Sequence, residues 1–306
     1  MKRTITILLL LAASATEVRA CDICGCGAGS TYIGILPDFN TRIAGFRYRG
    51  NLVTTHMGRG GSTSYLTTTE RYHTAELWGG WTFGSRFRLM ATLPVSYNTK
   101  QSQEEHRSKT GLGDATVQGM YRLLNRRHTL HDKLLVHDLW VGGGIKLPTG
   151  KYESGDFENT GRDANLFQLG TGSFDFLLTA MYDLRFQDLG LNLSAGYKLN
   201  TTNSSGYSYG NRLSGSAQAY YKIRAGKKMS IAPNAGASYE RSAQDLSRQY
   251  PVFSSGGYAW YGTVGAELLY RKIAVGGNWQ PVLSQRLASG LVKAGNRMML
   301  HVSLMF

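Results

Sequence analysis

Arg297-Met298-Met299-Leu300-His301-Val302-Ser303-Leu304-Met305-Phe306 decides how the rest of this chain is read. Met298, Leu300, Val302, Leu304 and Phe306 fall on one face. Arg297, Met299, His301, Ser303 and Met305 fall on the other. Period-two alternation over ten residues predicts a strand with one face turned toward an apolar medium. Ten residues is also the length at which a tilted strand crosses a bilayer.

Working back from that strand, the same alternation recurs. Phe87, Leu89, Ala91, Leu93, Val95 and Tyr97 oppose Arg86, Arg88, Thr92 and Ser96. Leu189, Leu191, Leu193, Ala195, Tyr197 and Leu199 oppose Asn192, Ser194 and Lys198. Tyr258, Trp260, Val264, Ala266, Leu268 and Tyr270 oppose Tyr261, Thr263 and Glu267, with the aromatics toward the strand ends, where interfacial girdles belong. Twelve strands are predicted near 41–55, 70–83, 86–98, 113–123, 134–147, 171–187, 189–201, 210–224, 228–241, 256–271, 272–282 and 296–306. Links after the odd strands are long and polar. Links after the even strands are tight, except a longer one predicted at 124–133. Short turns at one rim, long loops at the other and an even strand count predict an all-β, transmembrane antiparallel barrel over residues 40–306. Its short turns would be periplasmic and its long loops extracellular. A soluble sandwich also alternates, but would carry bulkier residues on its apolar face and fewer charges on the other. The terminal Phe306 resembles the signal by which bacterial outer-membrane barrels are recognised by their assembly machinery.

Composition fits this reading. The 306 residues include 38 Gly, 18 Tyr and 11 Phe, too aromatic for a disordered chain. Mean hydropathy is −0.26, and no apolar run after the first twenty residues is long enough for a membrane helix, which excludes a helical transporter. Lys and Arg number 34 against 20 Asp and Glu, for a formal charge of +14. Alternation spreads that excess over many strands rather than one stripe, which argues against nucleic acid. Basic outer loops would face lipopolysaccharide phosphates. By parity the lumen receives Arg47, Arg49, Arg86, Arg88, Arg122, Lys146, Arg185, Lys198, Arg212, Lys222, Arg271 and Arg297. Its acids are Glu76, Asp138, Asp175, Asp183, Glu240 and Glu267. An open pore lined this way would favour anions. Alternatively the charges pair across the barrel and plug it, because buried charges need partners.

Residues 1–20 read as an export signal: Lys2 and Arg3, then the apolar Ile5 to Ala13, then Val18-Arg19-Ala20 at a cleavage site. Residues 21–39 would form a periplasmic segment opening Cys21-Asp22-Ile23-Cys24-Gly25-Cys26. Cys21, Cys24 and Cys26 are the only cysteines. Three soft thiolates suit Cu(I), and they are one ligand short of a structural zinc site. Lipidation of Cys21 and a disulfide are the other readings; haem attachment fails because Gly25 follows Cys24 where C-x-x-C-H requires a histidine. His128-x-x-His131-Asp132, placed in the long turn at 124–133, is a further metal candidate against a plain solvated turn. No G-x-S-x-G is present. His301 and Ser303 share a face without an identifiable acid, so no enzyme is predicted.

Three motifs carry a family resemblance: Gly111-Leu112-Gly113-Asp114, Lys146-Leu147-Pro148-Thr149-Gly150 and Gly170-Thr171-Gly172-Ser173-Phe174-Asp175. In this order and spacing they resemble the Gram-negative outer-membrane barrels associated with transport in the meta-cleavage pathway of phenol degradation. The resemblance covers mainly residues 110–306. It implies passage of small solutes, aromatic or hydrophobic ones among them, and marks Gly111, Gly113, Asp114, Pro148, Thr149, Gly150, Gly170, Gly172 and Asp175 as motif positions. Locally, the glycines permit positive φ or close strand approach, and Pro148 ends a strand where its missing N–H costs no ladder bond. Asp114 and Asp175 are placed to pair with rim arginines. The functional expectation is passive passage of a small solute. The alternative is a metal-handling barrel using Cys21, Cys24 and Cys26.

Overall fold

The computed structural model describes residues 42–58, 61–103, 106–130, 133–154, 167–226 and 228–306. The predicted export signal, the segment with Cys21, Cys24 and Cys26, and His131 and Asp132 lie outside the described residues.

Twelve antiparallel strands form the barrel wall. In chain order they are β1 (Ile43–Thr55), β2 (Thr68–Phe83), β3 (Phe87–Gln101), β4 (Thr116–Leu130), β5 (Lys133–Lys146) and β6 (Asp175–Phe186). They continue as β7 (Leu189–Leu199), β8 (Arg212–Tyr221), β9 (Met229–Ser242), β10 (Gly257–Tyr270), β11 (Ile273–Gln280) and β12 (Arg297–Met305). Each pairs with its neighbours in sequence. The ring closes where β1 meets β12, from Ile43↔Met305 to Gly50↔Met298. Closure satisfies the backbone groups that a membrane could not.

Alternation sorts the side chains as the sequence predicts. In β12, Met299, His301, Ser303 and Met305 are buried, while Met298, Leu300, Val302, Leu304 and Phe306 are exposed. The exposed outer face is apolar and edged with aromatics. Toward the short-turn rim Trp81 stacks on Phe83 at 6.2 Å, and Phe83 meets Phe87 at 6.0 Å. Toward the long-loop rim Tyr48, His73 and Tyr97 stack in a row, and Tyr239 lies 4.6 Å from Trp260. From His73 to Trp81 is about 26 Å along the strand at a rise of about 3.3 Å per residue. At a barrel tilt of about 40° that rises about 20 Å, most of the roughly 25 Å apolar band of such barrels.

Two parts of the wall differ from expectation. The predicted loop at 99–112 is mostly strand: His106–Leu112 pairs with the upper half of β3, and Thr116–Tyr121 with its lower half. Residues 113–115 between them bulge out of the ladder opposite Leu93 and Pro94. The bulge answers the proline, which has no N–H to give; instead Gly113 N donates to Pro94 O at 2.9 Å. The predicted long turn at 124–133 is also strand, because β4 runs to Leu130 and pairs with β5 down to Leu130↔Lys133. A register shift between Arg122 and Leu124 interrupts the alternation there.

The long loops fold inward over the mouth. Tyr207, Tyr209, Leu287, Ala288 and Val292 pack on the lumen-facing Tyr72 and Tyr261 as one buried cluster. Buried Asp245 ties this cap down, accepting Tyr207 Oη at 2.5 Å and Gly210 N at 2.9 Å. Phe167, Gln168 and Leu169 are buried too, with Asn98 Nδ2 donating to Gln168 O at 3.2 Å.

Candidate functional site: the lumen and its latch

The three sequence motifs meet at the long-loop rim. Asp114, delivered by the bulge, is buried and accepts four hydrogen bonds. Gly150 N donates to its Oδ1 at 3.0 Å; Lys146 Nζ, Thr171 N and Thr171 Oγ1 donate to its Oδ2 at 2.6, 2.8 and 3.0 Å. Lys146 lies between two carboxylates, with Asp175 at 2.9 Å on its other side. Lys146 also donates to Thr171 Oγ1, and to Ser173 O at 2.9 Å. Lys198 approaches Asp175 at 3.3 Å, and Asp175 Oδ1 accepts Ser173 Oγ at 2.8 Å and Thr201 N at 3.1 Å. The motif aspartates therefore pair with Lys146 and Lys198 on the wall, not with rim arginines as expected. Thr149 Oγ1 donates to Gly113 O at 2.7 Å and accepts Ala115 N at 2.8 Å, pinning the bulge itself.

The motif glycines serve close approach. A Cβ on Gly150 would lie 2.7 Å from Gly170 Cα and 2.8 Å from Leu169 O. A Cβ on Gly113 would lie 3.0 Å from Pro94, and one on Gly111 3.0 Å from Leu169. Of the motif glycines only Gly172 has positive φ, at 69°. Pro148 follows the end of β5. Together these contacts hold residues 167–173 against the inner wall, and we refer to them as the latch. Outside it, Glu153 binds Lys109 at 2.8 Å and Lys151 at 2.7 Å. Hydrogen bonds from Lys109 first and Lys151 second hold its carboxyl down at about 2. We expect Gly150→Ala to destabilise the barrel by about 1–3 kcal/mol through overpacking against backbone that cannot yield. The check is the heat-modifiability midpoint on a denaturing gel.

Below the latch the lumen charges form two layers. In the central layer Glu76 binds Arg47 at 2.5 Å and also Arg49. Glu240 binds Arg212 at 2.5 Å and takes both terminal nitrogens of Arg297, at 2.7 and 3.1 Å. Arg297 also sits 3.9 Å over the Tyr261 ring. Arg49 feels the charges of Arg212, Arg297 and Glu240, which joins both clusters into one layer. Four guanidinium groups share Glu76 and Glu240, and even with buried Glu267 beside His301 counted the positive groups exceed the carboxylates.

In the layer nearer the short-turn rim, Arg122 forks onto Asp138 at 2.8 and 2.5 Å. Arg88 and Arg122 approach the Trp140 ring at 5.8 and 5.1 Å. Asp183 pairs with Arg185 at 2.8 Å and accepts Tyr220 Oη at 3.2 Å. Met90, Met120, Met181 and Trp140 line a cavity beside these charges. Of the charges assigned to the lumen by parity, Arg47, Arg49, Arg88, Arg122, Lys198, Arg212 and Arg297 lie on the inner face. Arg86, Lys222 and Arg271 instead lie at the rim. Arg86 is exposed and reaches the outward-facing Tyr121 at 3.5 Å; Lys222 sits between β8 and its extension Ile223–Ala225; Arg271 occupies the β10–β11 turn. Glu267, 3.7 Å from His301, is the acidic neighbour that sequence reasoning did not connect with that histidine. His128 lies in β4 rather than a turn, its ring 6.2 Å from that of His137.

A closed barrel with an even number of strands, a lipid-facing apolar band, aromatic girdles and a charged interior is a bacterial outer-membrane barrel. The tight turns are therefore periplasmic and the latched loops extracellular. The chain belongs to the family described as "Putative MetA-pathway of phenol degradation", whose model matches residues 49–265. Its fold resembles that of an outer-membrane channel from Pseudomonas putida F1, at 16% identity and TM-score 0.59, covering 89% of this chain and 100% of that one. The Bordetella autotransporter BrkA β-domain is similar at 10% identity and TM-score 0.48, covering 87% and 100%. The translocator domain of the autotransporter NalP from Neisseria meningitidis gives 14% and 0.44, covering 89% and 90%. No curated protein matches.

Proposed function

We propose that this protein is a passive, normally closed channel for a small solute that is aromatic and acidic or phenolic. The observation that carries this reading is the central layer, where four arginines surround two glutamates under a latched extracellular loop. Excess positive charge in a narrow, low-dielectric lumen attracts anions. Just below it the wall turns to Trp140, Met90, Met120 and Met181, surfaces that suit a flat apolar ring. The family's description and this lining point to the same solute class. Transport here needs no catalytic step.

The test is single-channel recording of the refolded protein in a planar bilayer under a salt gradient. We expect infrequent small steps with a reversal potential on the anion side. Benzoate on one side should interrupt the chloride current more than acetate does. Cation selectivity, or no discrimination between benzoate and acetate, would overturn the reading.

A further inference from the structure

At the short-turn rim the described residues leave one stretch of the backbone ladder open. On the side facing β3, β4 is paired only as far as Tyr121↔Phe87, with Arg122 N donating to Arg86 O at 2.7 Å just beyond. β4 then continues from Leu123 to Leu130 with β5 as its sole strand partner among the described residues. Burial shows that the wall ends on this side of β4, although β5 opposite it stays paired with β6 as far as Leu135↔Phe186. The in–out alternation stops, and Asn125, Arg126, Arg127, His128 and Thr129 are all exposed. Among the described residues, β4 therefore projects past the β2–β3 turn on its β3 side with an unpaired edge of eight residues, Leu123–Leu130.

An exposed edge is a template for another strand, and proteins normally cover or guard it. Here it carries Arg126, Arg127 and His128 in succession, with Arg86 exposed on the adjoining turn. The nearby acids are engaged elsewhere: Asp138 with Arg122, Asp183 with Arg185 and Asp188 with Arg224 at 2.7 Å. Antiparallel pairing of two copies about this edge would set arginine against arginine, which is destabilising. An acidic strand would gain on both counts, through main-chain bonds to the edge and through charge.

We propose that the β4 edge, Leu123–Leu130, is a docking site for an extended acidic segment of a periplasmic protein, bound by strand addition. The test is hydrogen–deuterium exchange of the refolded protein in nanodiscs, read on peptides covering 123–130. The probes are a nine-residue peptide of alternating Glu and Val and its Lys–Val counterpart. We expect fast exchange in the free protein, at least tenfold slowing with the Glu–Val peptide, and none with Lys–Val. Arg126→Glu combined with Arg127→Glu should reverse that preference and leave the channel's conductance unchanged. Equal slowing by both peptides, or by neither, would overturn the proposal. So would protection already present in the free protein: concentration-dependent protection would mean self-pairing, and concentration-independent protection would mean the chain covers its own edge.

Discussion

Asp114→Ala is expected to turn an almost silent barrel into a frequently open one and to lower its stability by about 3–5 kcal/mol, the usual cost of stripping one partner from a buried ion pair. The carboxylate is the common acceptor for Gly150 N, Thr171 N, Thr171 Oγ1 and Lys146 Nζ. Without it, Lys146 keeps Asp175, but the two chain segments that bracket the latch lose their shared anchor. Asp114→Asn separates the contributions. Its carbonyl oxygen can still accept from one backbone N–H, but its NH2 group faces the Lys146 ammonium and the Thr171 N–H, donor against donor. We therefore expect the asparagine variant to open as often as the alanine variant. Bilayer recordings give open probability, and heat modifiability gives stability. A variant that lost stability while staying silent would show that the latch holds the wall together without gating it.

The second large effect is expected at Glu240. Glu240→Gln removes the carboxylate that Arg212 and Arg297 share, raising the surplus positive charge of the layer by one. Anion selectivity should rise, seen as a larger reversal potential in the same salt gradient, and the barrel should lose about 3–5 kcal/mol. Arg297→Gln should act in the opposite sense on selectivity, since it removes the surplus charge and keeps the Arg212–Glu240 pair. If the two substitutions shifted selectivity in the same direction, the central layer would not be the filter.

Much of this was legible because a membrane wall imposes one rule on every residue of a strand. Arg297–Phe306 sorts in the structure as its alternation says, and Arg47, Arg49, Arg212 and Arg297 reach the lumen for the same reason. The rule fails where the wall stops. Arg86 and Arg271 have lumen parity but stand in turns. Beyond the bulge at Leu123 this strand of the hairpin is exposed on both faces, so its sequence, Asn125-Arg126-Arg127-His128-Thr129, reads as a loop although it is a strand. The latch was half legible. Its motifs stood out, but nothing local shows that Asp114 and Lys146, 32 residues apart, converge on Thr171. That follows only from β3, β4, β5 and β6 lying side by side. Pro94 carried a usable hint, since a proline inside a strand asks for an irregular neighbour, and the bulge that delivers Asp114 is that neighbour.

The seam between β1 and β12 has a kinetic consequence. Ile43 meets Met305 across nearly the whole described chain, so no smaller piece of the molecule can shut the ring. Hairpins such as β2–β3 can form early from near neighbours, whereas the closing contact has the largest sequence separation available and the greatest loop-closure cost. Until it forms, β1 and β12 each present an open row of N–H and C=O groups that lipid cannot solvate. Insertion and closure must then advance as one event, and the residues from Gly50 to Ile43, drawn up against Met298 to Met305, are the last to find their places.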